Sequence, residues 1–94
     1  MKSIMQTEKR SYVCGRCTGL ELHHCIHGTA NRRQADKYGL TVWLCAECHR
    51  GAEGVHGRAG HDLDVRIKKD AQERFEAVYG DRDAFRRAFG KSWL

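Results

Sequence analysis
The stretch LTVWLCAECHR, Leu40 to Arg50, decides how the rest of the chain is read. Its first half is rich in β-branched and aromatic residues and predicts a short strand ending near Cys45. Its second half changes character, and AECHR can form a helical turn. At the junction Cys45 and Cys48 make a CxxC turn, in which two thiolates converge on one ion. His49 follows Cys48 directly, so on a helix it points about 100° away from the knuckle. A strand and a short helix thus present sulfur in one direction and imidazole in another.

Upstream, CGRC (Cys14 to Cys17) supplies a second CxxC. Two such turns can complete a closed tetrahedral Zn²⁺ site from Cys14, Cys17, Cys45 and Cys48, which is the structural kind. A chain of 94 residues forms one domain with little core, and metal binding energy would become folding energy. Redox dithiols are the alternative, but neither CxxC opens a helix within a βαβ unit. Cys25 is left over, on a predicted strand, and reads as a small buried hydrophobe.

All six histidines, His23, His24, His27, His49, His56 and His61, fall in or just beyond the cysteine-rich half. LELHHCI (Leu20 to Ile26) alternates as a strand, and YVC (Tyr12 to Cys14) is expected to be another. NRRQADKYG reads as a short helix closed by Gly39. If His49 looks toward the strand carrying His23 and His24, a second metal position forms from imidazoles and stays open to water or phosphate. Neighbours on a regular strand point to opposite faces, so His23 and His24 reach one ion together only if the strand ends or bulges there. The bland alternative assigns these histidines to the surface or to substitution for cysteine at the zinc.

Beyond Gly60 the pattern is helical. In DLDVRIKKDAQERFEAVYG, Leu63, Ile67, Ala71, Phe75 and Val78 make one apolar stripe, with Asp62 as N-cap and Gly80 as stop. DRDAFRRAFG predicts a second helix, capped by Asp81 and ended by Gly90, with Phe85 and Phe89 on one face. Trp93 and Leu94 should tuck back onto the core, and the glycines at 51, 54 and 57 should loosen the chain between the halves. The expected class is α+β in a single domain, 1–61 holding the cysteines and histidines and 62–94 a helical extension outside the chemistry.

The formal charge is +5, and four zinc-bound thiolates would lower it to about +3. Residues 1–61 hold nine Lys/Arg against five Asp/Glu, and 62–94 hold eight against seven. The basic bias therefore accompanies the cysteines and histidines, which makes a polyanionic partner plausible. No apolar run approaches a membrane span. MKSIMQTEKRSY lacks the apolar core of a signal peptide, so a reducing compartment is expected, where five cysteines suggest metal before disulfides.

The HH pair followed by WLCAECHR resembles the frame of the HNH nucleases, whose ββα-metal core carries a histidine pair on its first strand and a last histidine on its helix. The likeness extends to small phage and prophage HNH proteins related to the recombination-enhancement nucleases. It runs through SIMQTEK, HH…GTANR…YGLTVWLC, GVH and the closing FGKSWL. The resemblance implies a zinc-stapled ββα-metal fold and a bacterial cytoplasmic endonuclease or nickase leaving a 5′ phosphate and a 3′ hydroxyl. It makes His24 the general base, a task suited to an imidazole, with His23 and His49 as ligands of a divalent metal, Mg²⁺, Mn²⁺, Ni²⁺ or Zn²⁺.

Many HNH sequences carry an Asn about five residues before the knuckle cysteine, and that place here is Leu40. Asn31, the sole asparagine, is expected either to orient the loop bearing the base or to cap the helix that follows it. Glu53 and His56 compete as an additional ligand, and His56 is favoured because flanking glycines let its backbone fold inward. Arg32, Arg33, Arg50 and Arg58 would hold DNA phosphates, with no base readout. A recombinase or a phage packaging protein is a conceivable partner. The alternative function is a non-catalytic zinc-binding module that binds nucleic acid or a phage or host protein.

Overall fold
The computed structural model describes residues 2–94. Strands β1 (Leu20–His24) and β2 (Thr41–Cys45) pair antiparallel, with Leu20 opposite Cys45, Leu22 opposite Trp43 and His23 opposite Val42. Helix α1 (Thr29–Tyr38) occupies the connection between them. It closes at Gly39, whose left-handed φ of +71° lets its N–H reach the carbonyls of Ala35 and Asp36. A Cβ there would also strike the carbonyl of Lys2, so this position is glycine for two reasons. Helix α2 (Ala46–Arg50) follows β2 without a loop. Helices α3 (His61–Val78) and α4 (Arg82–Phe89) complete an α+β domain.

Alternation along the strands sorts their side chains. Glu21, His23, Val42 and Leu44 share one face of the sheet, while Leu20, Leu22, His24, Trp43 and Cys45 share the other. The His23 imidazole and the Cys45 thiol are thereby sent to opposite sides of one two-stranded sheet. The N-terminal segment wraps the free side of β2. Ser3 Oγ donates to the Thr41 carbonyl at 2.6 Å, the Trp43 N–H donates to Gln6 Oε1 at 2.7 Å, and the Tyr12 N–H donates to the Trp43 carbonyl at 2.8 Å. Tyr12 to Cys14, expected as a strand, instead make a turn, in which Ser11 N–H donates to Arg16 and Gly15 N–H to Ser11. Glycine in the left-handed region at Gly15 favours turning over extension.

The core gathers Cys25, Leu40, Val42 and Leu44 around the sheet with Ile67, Ala71 and Phe75 of α3 and Phe85 and Phe89 of α4. Cys25 is buried as expected, and burial pushes its thiol far up. The stripe on α3 is shorter than predicted, because Leu63 is half-buried and Val78 is 52 % exposed. The helix also starts two residues earlier, with Gly60 rather than Asp62 at the cap, and its C-cap is Tyr79 rather than Gly80. Asp81 does cap α4, accepting from the Ala84 N–H at 2.9 Å, and Gly90 ends it. Trp93 packs on the core while Leu94 is exposed. Buried Gln72 holds the turn-back: its Oε1 accepts from the Trp93 N–H at 2.6 Å and its Nε2 donates to Ser92 Oγ at 2.9 Å. No helix among the described residues is long and apolar enough to cross a membrane.

Phe75 touches Tyr38 and Phe85 at ring-centroid distances of 5.1 and 5.4 Å. Phe75→Ala is therefore expected to lower stability by about 3–5 kcal/mol, the usual cost of an aromatic cavity, measured by urea titration.

Candidate metal centre
Two groups of side chains converge tightly enough to hold an ion. In the first, the Sγ atoms of Cys14, Cys45 and Cys48 lie within 4.8 Å of one another, and Cys14 and Cys45 are 3.5 Å apart. Sulfurs bound about 2.3 Å from a shared tetrahedral ion stand roughly 3.8 Å apart, so the spacing suits a metal. The electrostatics point the same way. Hydrogen bonding from Ser11 is the main cause that pulls the Cys14 thiol down to about 6, while burial and the neighbouring Cys45 push Cys48 up to about 11. A cation among the three sulfurs would favour their thiolate forms. The Ser11 hydroxyl is buried with no hydrogen-bond partner, near enough to Cys14 and Cys48 to favour a thiolate at either. Cys17 stands apart, exposed, with its Sγ 3.6 Å from the Gly15 carbonyl.

The second group is His23, His49 and His56, one from β1, one from α2 and one from the loop after it. Ring centroids are 5.2 Å apart for His23 with either partner and 4.9 Å for His49 with His56. His23 is 1 % exposed, and its Nε2 is buried with no hydrogen-bond partner. An orphaned imidazole nitrogen in a group of three converging imidazoles suits a site that could hold a cation. Burial, then the neighbouring histidines, lowers the His23 pKa to about 3, so it stays neutral and free to donate its lone pair. His56 is lowered by burial as well. His49 is oriented: its Nδ1–H donates to Glu21 Oε1 at 2.7 Å, which leaves Nε2 as the lone-pair nitrogen. This is the carboxylate–histidine arrangement that fixes a metal ligand. Glu21 is itself gripped by Arg50 at 2.8 and 3.1 Å, and those two partners hold its carboxyl below the usual range.

The loop carrying His56 is ordered by its glycines, the reverse of the expected loosening. Gly51, Gly54, Gly57 and Gly60 recur every third residue, and each N–H after the first donates to the preceding glycine's carbonyl at 2.9, 2.8 and 3.2 Å. Val55 and His56 N–H also donate to Cys48 and His49, both at 2.9 Å, so the coil lies against the end of α2 and sets His56 beside His49. The approach leaves no room for a side chain: a Cβ on Gly57 would overlap the carbonyl oxygens of Gly51 and Ala52. Gly57→Ala is expected to cost about 1–3 kcal/mol and to deplete metal at the histidines while sparing the cysteine group, as read by elemental analysis beside a melting curve.

Other expected site residues are placed as follows. His24 lies on the opposite face of β1 from His23 and outside the ligand group, 3.6 Å from Asp36. Because β1 ends there, His23 and His24 both line one cavity of about 340 Å³, together with His27, Thr29, Arg32 and His56. Arg33 and Asn31 face a different hollow, beside Ala88. Asn31 is not an N-cap, since α1 begins two residues earlier and its cap is Gly28. Arg50 is engaged by Glu21 rather than free for phosphate, and Arg58 and Glu53 are exposed outside the groups.

Three contributors were not anticipated. Ser11 and Glu21 serve the two groups, and α3 reaches the histidines through Asp64, contrary to the expectation that the C-terminal helices stand outside the chemistry. His27 Nε2–H donates to Asp64 Oδ1 at 3.0 Å, and Lys68 pairs with the other oxygen at 2.7 Å. Burial would raise the Asp64 carboxyl, but Lys68 and His27 outweigh it and hold the group low. Glu21 was readable, since it stands two residues before His23 on the same strand face. Asp64 was not, because its contact spans distant sequence. Comparisons with protein-family models, curated proteins and solved structures give no match to this chain.

Proposed function
We propose that the protein is a metal-dependent DNA endonuclease or nickase of the HNH type, with a ββα-metal centre formed by β1, β2 and α2. The observation that carries this reading is the buried, unpartnered Nε2 of His23 within a three-imidazole group that opens on a cavity bearing His24 and Arg32. A structural site would be closed, whereas His56 is exposed and three imidazoles leave a tetrahedral ion one position for water or phosphate. A divalent ion there would act as Lewis acid on the scissile phosphate and its leaving oxygen.

The chain's own groups supply the rest. His24, in the cavity but outside the ligand set, takes the proton of the attacking water. Arg32 holds a phosphate from the cavity wall. Glu21 and His49 keep the ligand geometry fixed, so that little reorganisation accompanies the reaction. Cys14, Cys45 and Cys48 would hold Zn²⁺, which would tie β2, the strand that His23 pairs with, to the Cys14 turn. Imidazole donors favour Zn²⁺, Mn²⁺ or Ni²⁺ over Mg²⁺.

Supercoiled plasmid incubated with purified protein and Mn²⁺ should convert to nicked circles, and EDTA should stop the conversion. Absence of nicking with Mn²⁺, Ni²⁺, Zn²⁺ and Mg²⁺ alike would instead leave a non-catalytic zinc module.

A further inference from the structure
We propose that the start of α1 is the seat of the scissile phosphate, which would lie between the backbone N–H groups of Thr29 and its neighbours, the Arg32 guanidinium and the histidine metal group. This rests on the nuclease reading and adds where the substrate's anion sits.

Helix α1 is ten residues long and begins without a side-chain cap or an acidic residue in its first turn. The N–H groups of Thr29, Ala30 and Asn31 have no intrahelical acceptor, and the helix dipole makes that end partly positive. Gly28 leads in with a φ of +102°, and a Cβ there would meet nothing within 4 Å, so the approach to these donors is bare. Arg32 stands one turn on and lines the same cavity.

An uncapped helix start alone would be ordinary. Here the wall of the same cavity also contains His23, 1 % exposed, whose Nε2 has no partner. No carboxylate lines the cavity: Asp64 is occupied by His27 and Lys68, and exposed Asp36 stands 3.6 Å from His24. The hollow thus joins a cation position at one end to backbone donors and a guanidinium at the other. A phosphodiester has two non-bridging oxygens, one for each end, which is the recurrent use of a helix start.

The test is binding of inorganic phosphate to Mn²⁺-loaded protein, followed by ³¹P line broadening, with Mn²⁺ affinity measured in parallel by calorimetry. Thr29→Asp places a carboxylate over the donors, where it suits the helix dipole and preserves the fold. It should weaken phosphate binding at least about tenfold, with Mn²⁺ affinity unchanged, whereas neutral Thr29→Asn should bind close to the parent. Arg32→Ala should also weaken phosphate. Parent-like phosphate binding by Thr29→Asp overturns the proposal, as does parent-like binding by Arg32→Ala should Thr29→Asp fail to fold. The two readings fail separately. Phosphate binding with this pattern but no plasmid nicking keeps the seat and removes the nuclease, while full-rate nicking by Thr29→Asp removes the seat and keeps the nuclease.

Discussion

His24→Ala is expected to lower the nicking rate by about 10² to 10⁴, the usual contribution of a general base, while the protein keeps its metal. The two halves of that result have separate causes. His24 points away from the face that carries His23, so its imidazole is not among the converging ligands, and its loss removes no donor atom. It lines the cavity with His23 and Arg32, so its loss removes the residue proposed to take the proton of the attacking water. Single-turnover nicking with metal analysis of the same sample reads both halves. A variant that nicks at the parent rate would move the base elsewhere, and His27, held by Asp64 in the same cavity, would be the next residue to replace.

Cys45→Ser is expected to release about one metal ion per chain and to cost several kcal/mol, enough to unfold a domain of this size. Cys45 is 1 % exposed and ends β2, directly opposite Leu20. It therefore anchors both the knuckle and the strand on which the sheet depends. A serine there would leave a buried hydroxyl among thiols and a weaker cage for the ion. A variant that melts like the parent with unchanged metal content would remove the cysteine group from the structural role.

Much of this architecture could be read from the sequence, because its signals are local. The β-branched run at Thr41 and Val42, the Asp81 cap and the Gly39 and Gly90 stops are decided within a few residues, so β2 and α4 stand where expected and α1 closes where expected, though it starts two residues early. The pairing of His23 with His49 was legible for a similar reason, since CAECH places the imidazole off the knuckle's axis. What sequence concealed was non-local or depended on backbone approach. The glycine coil looks like a flexible linker until its carbonyls are seen against one another, and only then does spacing by three acquire a meaning. Asp64 reads as an ordinary first-turn acid on α3. Arg50 reads as a phosphate ligand until Glu21 is found beside it.

Three histidines are proposed to hold a catalytic ion while a fourth handles the proton, and a metal titration of plasmid nicking by His49→Ala and His24→Ala separates the two roles. Loss of His49 removes a ligand, so excess Mn²⁺ or Ni²⁺, which accept imidazole more readily than Mg²⁺, should restore part of the activity in that variant. The same titration should leave His24→Ala inactive at every concentration. Rescue of His24→Ala but not of His49→Ala would contradict the assignment, because the two roles would be exchanged.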